Sequence, residues 1–280
     1  MRRWLSRSLI SLLVVSLLAV ASVSSAAAAE RSLVPGAKLT DRPFRGITLV
    51  AVGNNVVCTG FVIAPRKVAT AAHCLTRDAA RGNYKLRAGL PGNIRLLRAY
   101  SRATGGSPYA TCRVSKVWAH KKFVRRDRRD RRFGSRAHDY AVLTTEAGCR
   151  YPRNAVMRMW ATTPGDGSLR AGQRTRMAGY PADPRFRGMT GLNLWRTEGR
   201  LRPNGRDTRL INTTGFVAQG MSGAPVWRSY RTDSPCGRAQ CVIAILTECE
   251  VNAKGLCKTG DSTRRAIRIT PNVKRILRSR

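Results

Sequence analysis

Short apolar runs separated by turn residues dominate the chain from Ile47 onwards. Residues 47–52 and 56–63 are rich in β-branched side chains, and a Gly-Asn-Asn turn signal separates them. Further runs of this kind lie at 67–71, 84–88, 113–118, 140–144, 175–180, 194–201, 209–213, 224–227 and 241–247. Short strands joined by turns are typical of antiparallel sheets. The pattern therefore predicts an all-β chain made of two sandwich- or barrel-like halves.

Helical periodicity is convincing only near the C-terminus, at about 271–278, where Pro271 suits the first turn of a helix. Residues 150–168 contain two prolines and a Gly-Asp-Gly sequence, which predicts a linker between the halves. The first half then covers about residues 46–150, and the second covers about 165–265. Residues 30–45 lack periodicity and are interpreted as an N-terminal segment or a short pro-segment.

The first 29 residues have the features of a targeting signal. Arg2, Arg3 and Arg7 precede an apolar run at 9–23, and small residues follow up to Ala29. This order predicts a secretory signal peptide that is cleaved near Ala29. A membrane anchor is the alternative, but the apolar run is shorter than the about 20 residues that span a bilayer. We therefore expect a secreted or periplasmic protein.

The chain carries 52 basic residues against 15 acidic ones, a net charge of +37. This charge excludes an acidic calcium buffer and leaves nucleic acid, anionic lipid or anionic polysaccharide open as partners. One run between residues 125 and 132 contains six arginines: Arg125, Arg126, Arg128, Arg129, Arg131 and Arg132. Arginine forks bind carboxylates and phosphates, so the run could hold an anionic envelope polymer. It could equally be a solvated surface in an arginine-rich chain, and no specific nucleic-acid-binding motif accompanies it.

Eight cysteines agree with export, because an even number in an exported chain indicates disulfides. The sequence alone does not determine how they pair. Zinc binding is the alternative, but no Cys-x₂-Cys pair occurs and the three histidines are scattered. We therefore predict neither a metal site nor a cofactor.

Three segments carry residues suited to nucleophilic catalysis. His73 lies in Thr-Ala-Ala-His-Cys at the end of a predicted strand, Asp139 precedes an apolar strand, and Ser222 lies in Gly-Met-Ser-Gly-Ala-Pro. A serine hydroxyl needs a base to remove its proton, and an imidazole has a suitable pKa. A carboxylate fixes the tautomer of that imidazole. Glycines let the backbone turn sharply, so that N–H groups can face a developing oxyanion.

Each of these residues also has an ordinary structural interpretation. His73 alone could be a core histidine, Asp139 a strand-end acid, and Ser222 one of many turn serines. In this order and in these contexts, however, the three resemble the chymotrypsin/trypsin-like serine peptidases. The segments at 178–183, 194–195, 198–201 and 220–227 resemble the bacterial glutamyl endopeptidase-like branch of that family.

The resemblance implies two six-stranded antiparallel β-barrels with the active site in the cleft between them, followed here by a short C-terminal helix. His73 and Asp139 would come from the first barrel and Ser222 from the second. Ser222 would attack the substrate, His73 would transfer its proton, and Asp139 would orient His73. The backbone N–H groups of Gly220 and Ser222 would form the oxyanion hole.

The resemblance also implies two supporting features. A disulfide would join Cys58 to Cys74 behind the histidine, and the hydroxyl of Thr247 would lie against the triad aspartate. For the other cysteines, proximity in the sequence favours the pairs Cys112 with Cys149, Cys236 with Cys241, and Cys249 with Cys257.

Several positions depart from well-known members of the family. Met221 replaces the acid that pairs with a new N-terminus in trypsin-type zymogens, and Phe216 replaces the acid at the base of a trypsin pocket. Leu246 stands where glutamyl endopeptidases carry a histidine. Glu248 and Glu250 lie on the strand that would pair with substrate, where they could favour basic substrate side chains or simply be solvated.

Two hypotheses of function follow. The first is a monomeric, secreted or periplasmic serine endopeptidase that hydrolyses peptide bonds through an acyl-enzyme and needs no cofactor. The second is a non-cleaving protein of the same fold that binds anionic polymers, either envelope polysaccharide or nucleic acid, through its basic surface. The complete set of His73, Asp139 and Ser222 favours the first hypothesis.

Overall fold

The computed structural model describes residues 31–53, 56–78, 83–124, 133–165, 167–185, 188–205, 207–229, 236, 240–249, 257 and 264–280. The predicted signal peptide and the arginine run at 125–132 lie outside the described residues. Within the described part of the chain, no helix is long and apolar enough to cross a membrane.

Six antiparallel strands close into a first barrel. They are β2 (Ile47–Val52), β3 (Val56–Ala64), β4 (Lys67–Thr70), β7 (Ile94–Arg98), β8 (Cys112–Ala119) and β9 (Ala141–Thr145). Their order around the barrel is β2-β3-β4-β9-β8-β7. A small separate hairpin consists of β5 (Thr76–Asp78) and β6 (Asn83–Leu86).

A second set of six strands also forms a ring, because its first and last members pair. These are β11 (Arg174–Gly179), β12 (Trp195–Pro203), β13 (Leu210–Thr213), β14 (Pro225–Ser229), β15 (Gln240–Cys249) and β16 (Arg264–Arg268). The order is β12-β11-β14-β15-β16-β13, and β12 pairs with β13. Two short strands extend this sheet: β1 (Arg31–Leu33) pairs with β12, and β10 (Arg158–Met159) pairs in parallel with β15.

The first barrel buries both faces of several strands, which explains their continuous apolar sequences. Successive side chains of a strand point to opposite faces. In β3, Val62 packs inside the first barrel, whereas Phe61 and Ile63 belong to a cluster that also contains Tyr180 and Trp227 of the second half. The two barrels therefore share one apolar cluster along their contact.

The segment between the barrels is bound to both of them. The backbone N–H of Met157 donates to the carbonyl of Val62, and that of Trp160 donates to Val242, each at 2.9 Å. The predicted linker thus contains β10 and the 3-10 helix Arg153–Ala155. The remaining 3-10 helices are Gly36–Lys38, Phe44–Gly46, Ala72–Leu75, Arg102–Thr104 and Phe133–His138.

Helical structure in the described residues is otherwise limited to α1 (Lys121–Val124) and α2 (Pro271–Ser279). Thr270 caps α2 by accepting a hydrogen bond from the N–H of Val273, and Pro271 occupies its first turn, where a missing N–H costs little. Val273 and Leu277 anchor the helix in the shared cluster. The two six-stranded barrels and the short C-terminal helix confirm the predicted fold class.

Four disulfides cross-link the fold: the pair that the family resemblance implied and the three pairs that proximity in the sequence favoured. They are Cys58–Cys74, Cys112–Cys149, Cys236–Cys241 and Cys249–Cys257. The first of them ties β3 to the 3-10 helix that follows β4.

Candidate active site

His73 and Asp139 meet because they follow and precede two paired strands. β4 and β9 are antiparallel neighbours, with Thr70 opposite Ala141. His73 lies in the short 3-10 helix that follows β4, and Asp139 lies shortly before the start of β9, so both residues stand at the same end of the strand pair. The disulfide between Cys58 and Cys74 holds the helix that carries His73.

Two hydrogen bonds fix the imidazole against the carboxylate. The backbone N–H of His73 donates to Oδ1 of Asp139 at 2.8 Å, and ring Nδ1 lies 2.6 Å from Oδ2. With Nδ1 as the donor, Nε2 of the neutral ring is left as the proton acceptor. The side chain of Asp139 is only 10% exposed and that of His73 is 27% exposed, so the pair is largely shielded from water.

The surroundings of His73 favour its protonated form. Burial acts to lower the pKa of His73, but the charge of Asp139, the hydrogen bond to Asp139 and the more distant charge of Glu248 outweigh it. The pKa of His73 is therefore raised above 6.5. A base whose pKa lies near working pH is suited to proton transfer.

Ser222 lies in a tight turn that the first barrel holds in place. The N–H of Thr59 donates to the carbonyl of Ser222, and the Thr59 hydroxyl donates to the carbonyl of Gly220, both at 2.8 Å. Cys74, next to His73, places its Sγ 3.9 Å from the carbonyl oxygen of Ser222. The turn of the second barrel therefore contacts the segment that carries His73.

The turn requires glycine on each side of Ser222. Gly220 and Gly223 adopt φ values of +83° and +87°, which favour glycine. A Cβ on Gly220 would lie 2.2 Å from the carbonyl oxygen of Tyr180, and one on Gly223 would lie 2.1 Å from that of Thr59. The Gly-x-Ser-Gly pattern is thus a requirement of both backbone conformation and space.

The two peptide groups next to Ser222 are oriented by hydrogen bonds to their carbonyls. The carbonyl of Gln219 accepts from Ala182 at 2.7 Å, and that of Met221 accepts from Ala224 at 2.9 Å. In a trans peptide the N–H points away from the C=O. The N–H groups of Gly220 and Ser222 therefore point away from these partners, and neither donates a hydrogen bond within the described residues.

The Ser222 hydroxyl lies near the end of the strand that borders the cleft. Its Oγ is 3.5 Å from the carbonyl oxygen of Thr247, and among the described residues no hydrogen bond joins it to the ring of His73. Catalytic hydrogen bonds of this kind are often long before substrate binds. The hydroxyl of Thr247, expected against Asp139, donates to the carbonyl of Arg265 at 3.3 Å.

Glu248 has a role that the sequence did not suggest. Its carboxylate lies 2.7 Å from Arg265 of β16 and 3.3 Å from Arg136. Arg136 belongs to the 3-10 helix before Asp139, and its carbonyl accepts from the N–H of Asp139 at 3.2 Å. Glu248 therefore links the second barrel to the loop that positions Asp139. The sequence showed an acid at 248, but the two arginines come from separate parts of the chain.

The three positions that depart from well-known members of the family, two of them expected in the pocket and Met221 at the site of the zymogen acid, are apolar and buried. Phe216, Met221 and Leu246 are at most 5% exposed and belong to the core cluster of the second barrel. The guanidinium of Arg31 lies over the Phe216 ring, 4.7 Å from its centroid.

The other histidines have a separate environment. His120 and His138 pack with ring centroids 4.4 Å apart. Burial and the positive charges of His138 and Lys122 lower the pKa of His120 to about 4. His120 is therefore neutral at the pH where His73 titrates, which agrees with a structural role.

One group of potential metal ligands lies beside His73. The side chains of Cys58, His73 and Cys74 come together, but both sulfurs are in one disulfide. Zinc and similar metals bind cysteine as the thiolate. The group therefore does not offer a sulfur-ligated metal site.

Known proteins share both the family signature and the fold. Residues 58–232 match the family of trypsin-like peptidase domains. The solved structure of a Glu endopeptidase in complex with MPD is 18% identical with a TM-score of 0.62, over 89% of this chain and 95% of that chain. A thermostable serine protease from an extremophilic microorganism is 20% identical with a TM-score of 0.58, over 82% and 94% of the two chains. No curated protein sequence matches the chain.

The two closed six-stranded barrels match the trypsin-like fold. The family match covers more than half of the chain, and the chain belongs to the family of trypsin-like peptidase domains. The protein is thus a protease-type hydrolase with peptide substrates, and its fold is that of the Glu endopeptidase.

Proposed function

We propose that the protein is a serine endopeptidase in which Ser222, His73 and Asp139 form the catalytic triad. The observation that carries this proposal is the pair of hydrogen bonds between His73 and Asp139, which leaves Nε2 of the ring as the proton acceptor. The oriented N–H groups of Gly220 and Ser222 supply the second requirement, a site for a developing negative charge.

The reaction follows from the roles of these groups. His73 removes the proton of Ser222 Oγ as the oxygen attacks the peptide carbonyl, and Asp139 stabilises the imidazolium that forms. The N–H groups of Gly220 and Ser222 bind the oxyanion of the tetrahedral intermediate. His73 then protonates the leaving amine, which gives an acyl-enzyme, and the same groups activate the water that hydrolyses it.

The expected location is outside the cytoplasm. The predicted signal peptide supports export, and four disulfides are typical of proteins from oxidising compartments. Cell fractionation would test this, because a protein that keeps residues 1–29 and stays in the cytoplasm would contradict it. We also propose that the mature protein is a monomer, which its elution in size-exclusion chromatography would test.

The expected cleavage specificity is neither that of trypsin, for arginine or lysine, nor that of glutamyl endopeptidases, for glutamate. Phe216 supports an apolar rather than an acidic pocket base, which argues against cleavage after arginine or lysine. Leu246 has no charge that could bind a glutamate side chain, which argues against cleavage after glutamate. Profiling of cleaved sites in a peptide library would identify the side chain that the pocket accepts.

The experiment that tests the proposal is labelling with a fluorophosphonate probe, which reacts with an activated serine. The mature protein should be labelled and should cleave an unfolded protein substrate, and Ser222→Ala should lose both properties. Ser115→Ala is a matched control, because Ser115 lies on β8 and its hydroxyl donates to the carbonyls of Thr144 and Thr145, away from the site. A folded wild-type protein that is never labelled would contradict the proposal.

A non-cleaving binder of anionic polymers is the second candidate, and the high net charge favours it: the chain carries +37, of which residues 1–29 supply only three charges. The six arginines between 125 and 132 are the predicted contact with such a polymer. Replacing them with glutamine should then abolish retention on heparin while Ser222→Ala keeps it. Full biological activity of Ser222→Ala would favour this function over proteolysis.

A further inference from the structure

A cavity lies where the N-terminal segment, the segment between the barrels and the second barrel meet. It consists of two adjoining chambers of about 190 and 260 Å³, which share Arg42, Pro43 and Gln240 in their walls. The smaller chamber extends along β11, β12 and β14, and the larger one along the segment before β10. The described lining includes none of the residues of the candidate active site, and we name this space the arginine cavity.

The arginine cavity is strongly cationic. Its described lining contains four arginines and one acid: Arg42, Arg158, Arg176, Arg196 and Glu198. The carboxylate of Glu198 is already engaged by Arg174 and by Arg176, whose Nε lies 2.8 Å from it. The lining therefore carries more guanidinium charge than its single carboxylate can neutralise.

Arg42 and Arg196 use only part of their hydrogen-bonding capacity on the protein. Nε of Arg42 donates to the carbonyl of Asn154 at 3.1 Å, and Nε of Arg196 donates to the hydroxyl of Ser32 at 2.8 Å. A guanidinium has five N–H groups in a planar fork. Each of these arginines therefore keeps further donors, and its contacts with neutral oxygens leave its charge uncompensated.

A buried donor in the wall also lacks a partner. Trp227 is only 2% exposed, and its indole Nε1 has no hydrogen-bond partner among the described residues. It lies opposite Arg176 in the β11–β14 pairing, so both side chains stand on the same outer face of the barrel. Buried polar groups are normally hydrogen-bonded, and an unpaired one requires an explanation. An indole N–H can only donate, so its missing partner is an acceptor.

We propose that the arginine cavity binds a carboxylate or phosphate group. Both groups are oxyanions that accept bidentate hydrogen bonds from an arginine fork and a further bond from an indole N–H. The chambers are smaller than the about 300–1,000 Å³ of typical ligand pockets, so the ligand is a small anion or one anionic unit of a larger molecule. This inference is independent of the proposed proteolytic function.

Binding at this place has a structural consequence. The cavity wall contains Arg42 of the N-terminal segment, Arg158 of the segment between the barrels, and Arg196 of the second barrel. An anion bound between Arg42 and Arg196 in the smaller chamber would connect the N-terminal segment to the second barrel. Because a ligand that binds only the folded state stabilises it, occupancy should raise the melting temperature.

The test is a titration of the mature protein with inorganic phosphate and, separately, with galacturonate, at constant ionic strength. Calorimetry should show saturable binding of one anion per chain for at least one probe, and tryptophan fluorescence should change at the same concentrations because Trp227 lines the cavity. Binding of phosphate alone identifies a phosphate ligand, and binding of galacturonate alone identifies a carboxylate. Absence of saturable binding of both probes overturns the proposal.

Paired variants separate a specific site from general attraction to a basic protein. Arg42→Gln with Arg196→Gln should weaken binding at least about tenfold, because charge-assisted hydrogen bonds are lost. Arg95→Gln with Arg113→Gln removes the same charge from exposed strand positions of the first barrel and should leave binding unchanged. Equal weakening in both double variants overturns the proposal.

Two further variants keep the result interpretable. Arg196 is exposed, so Arg196→Gln alone should fold even if the double variant does not, and it should still weaken binding. Ser222→Ala should bind as the wild type does. Loss of anion binding in Ser222→Ala would place the anion in the catalytic cleft and overturn the assignment to the arginine cavity.

Discussion

Replacing Asp139 with asparagine should disable the proposed base while leaving the fold intact. In the wild type, Oδ1 of Asp139 accepts from the backbone N–H of His73, and Oδ2 faces ring Nδ1. The backbone N–H can only donate, so in the Asp139→Asn variant it must face the oxygen of the new amide. The amide NH₂ is then forced towards Nδ1, which must become an acceptor. The proton moves to Nε2, and the ring can no longer take the proton of Ser222.

The expected loss of activity follows from the wrong tautomer of the His73 ring. In trypsin-like enzymes the corresponding change lowers kcat by about 10⁴-fold, which equals about 5.5 kcal/mol of barrier at about 1.36 kcal/mol per tenfold. The acid limb of the pH profile should also move. Burial lowers the pKa of His73 and the charge of Asp139 raises it, so removal of that charge should shift the limb to lower pH.

The assay is the pH dependence of kcat/KM for a peptide substrate, measured together with circular dichroism. His120, with a pKa of about 4, does not contribute to a limb near neutrality. The raised pKa of His73 also makes the free energy of unfolding depend on pH. Because the pKa of folded His73 is raised, its contribution is present below about pH 6.5 and is lost as pH rises through the folded-state pKa, and Asp139→Asn should remove this dependence. A folded Asp139→Asn protein with near wild-type kcat/KM and an unchanged acid limb would refute the reasoning.

Three further predictions concern the surroundings of the site. Gly220→Ala should lower kcat by about 10²–10³-fold, because its Cβ would collide with a carbonyl and displace an oxyanion donor; kinetics on the purified variant would measure this. Glu248→Gln should lower the pKa of His73, by less than Asp139→Asn does, and a pH profile should show the acid limb at lower pH. Replacing Cys58 and Cys74 with alanine opens a loop with a sequence separation of 16 and should reduce the free energy of unfolding by about 3 kcal/mol in chemical denaturation.

The first two of these have matched controls. Gly172 has a φ of +79° with no atom near its missing Cβ, so Gly172→Ala carries the same backbone strain without the collision and should keep its kcat. Glu146→Gln removes an exposed acid and should not move the acid limb. Equal effects in variant and control would contradict the first two predictions. An unchanged denaturation midpoint would contradict the third.

Two barrel strands were missing from the sequence prediction, and the structure shows why. β7 and β16 carry arginine at several positions, so neither resembles a strand of a buried barrel. Arg98 of β7 is nevertheless only 7% exposed, because its guanidinium stacks over Tyr109, 3.4 Å from the ring centroid. The arginines of β7 therefore made the segment look too polar for a buried strand. In the structure, Tyr109, which lies outside the strand, covers Arg98.

The contacts of Glu248 and Thr247 could not be predicted from the sequence either. Their position near the end of a long apolar strand was visible, but Arg136 lies more than a hundred residues away from them along the chain. Which residue reaches which partner depends on how the two barrels face each other. That orientation is set by packing in the shared apolar cluster, which contains Phe61 of the first barrel and Tyr180 of the second half.

By itself, the sequence determined the β-rich character of the chain, the glycine turn around Ser222 and the residue types of the candidate site, because these depend on local conformation and chemistry. The tertiary structure alone decided which groups meet. It placed His73 beside Asp139 through strand pairing, held Ser222 against the first barrel through Thr59, and assembled the arginine cavity from three separate segments. Such contacts join residues far apart in the chain, and only packing of the whole fold brings them together.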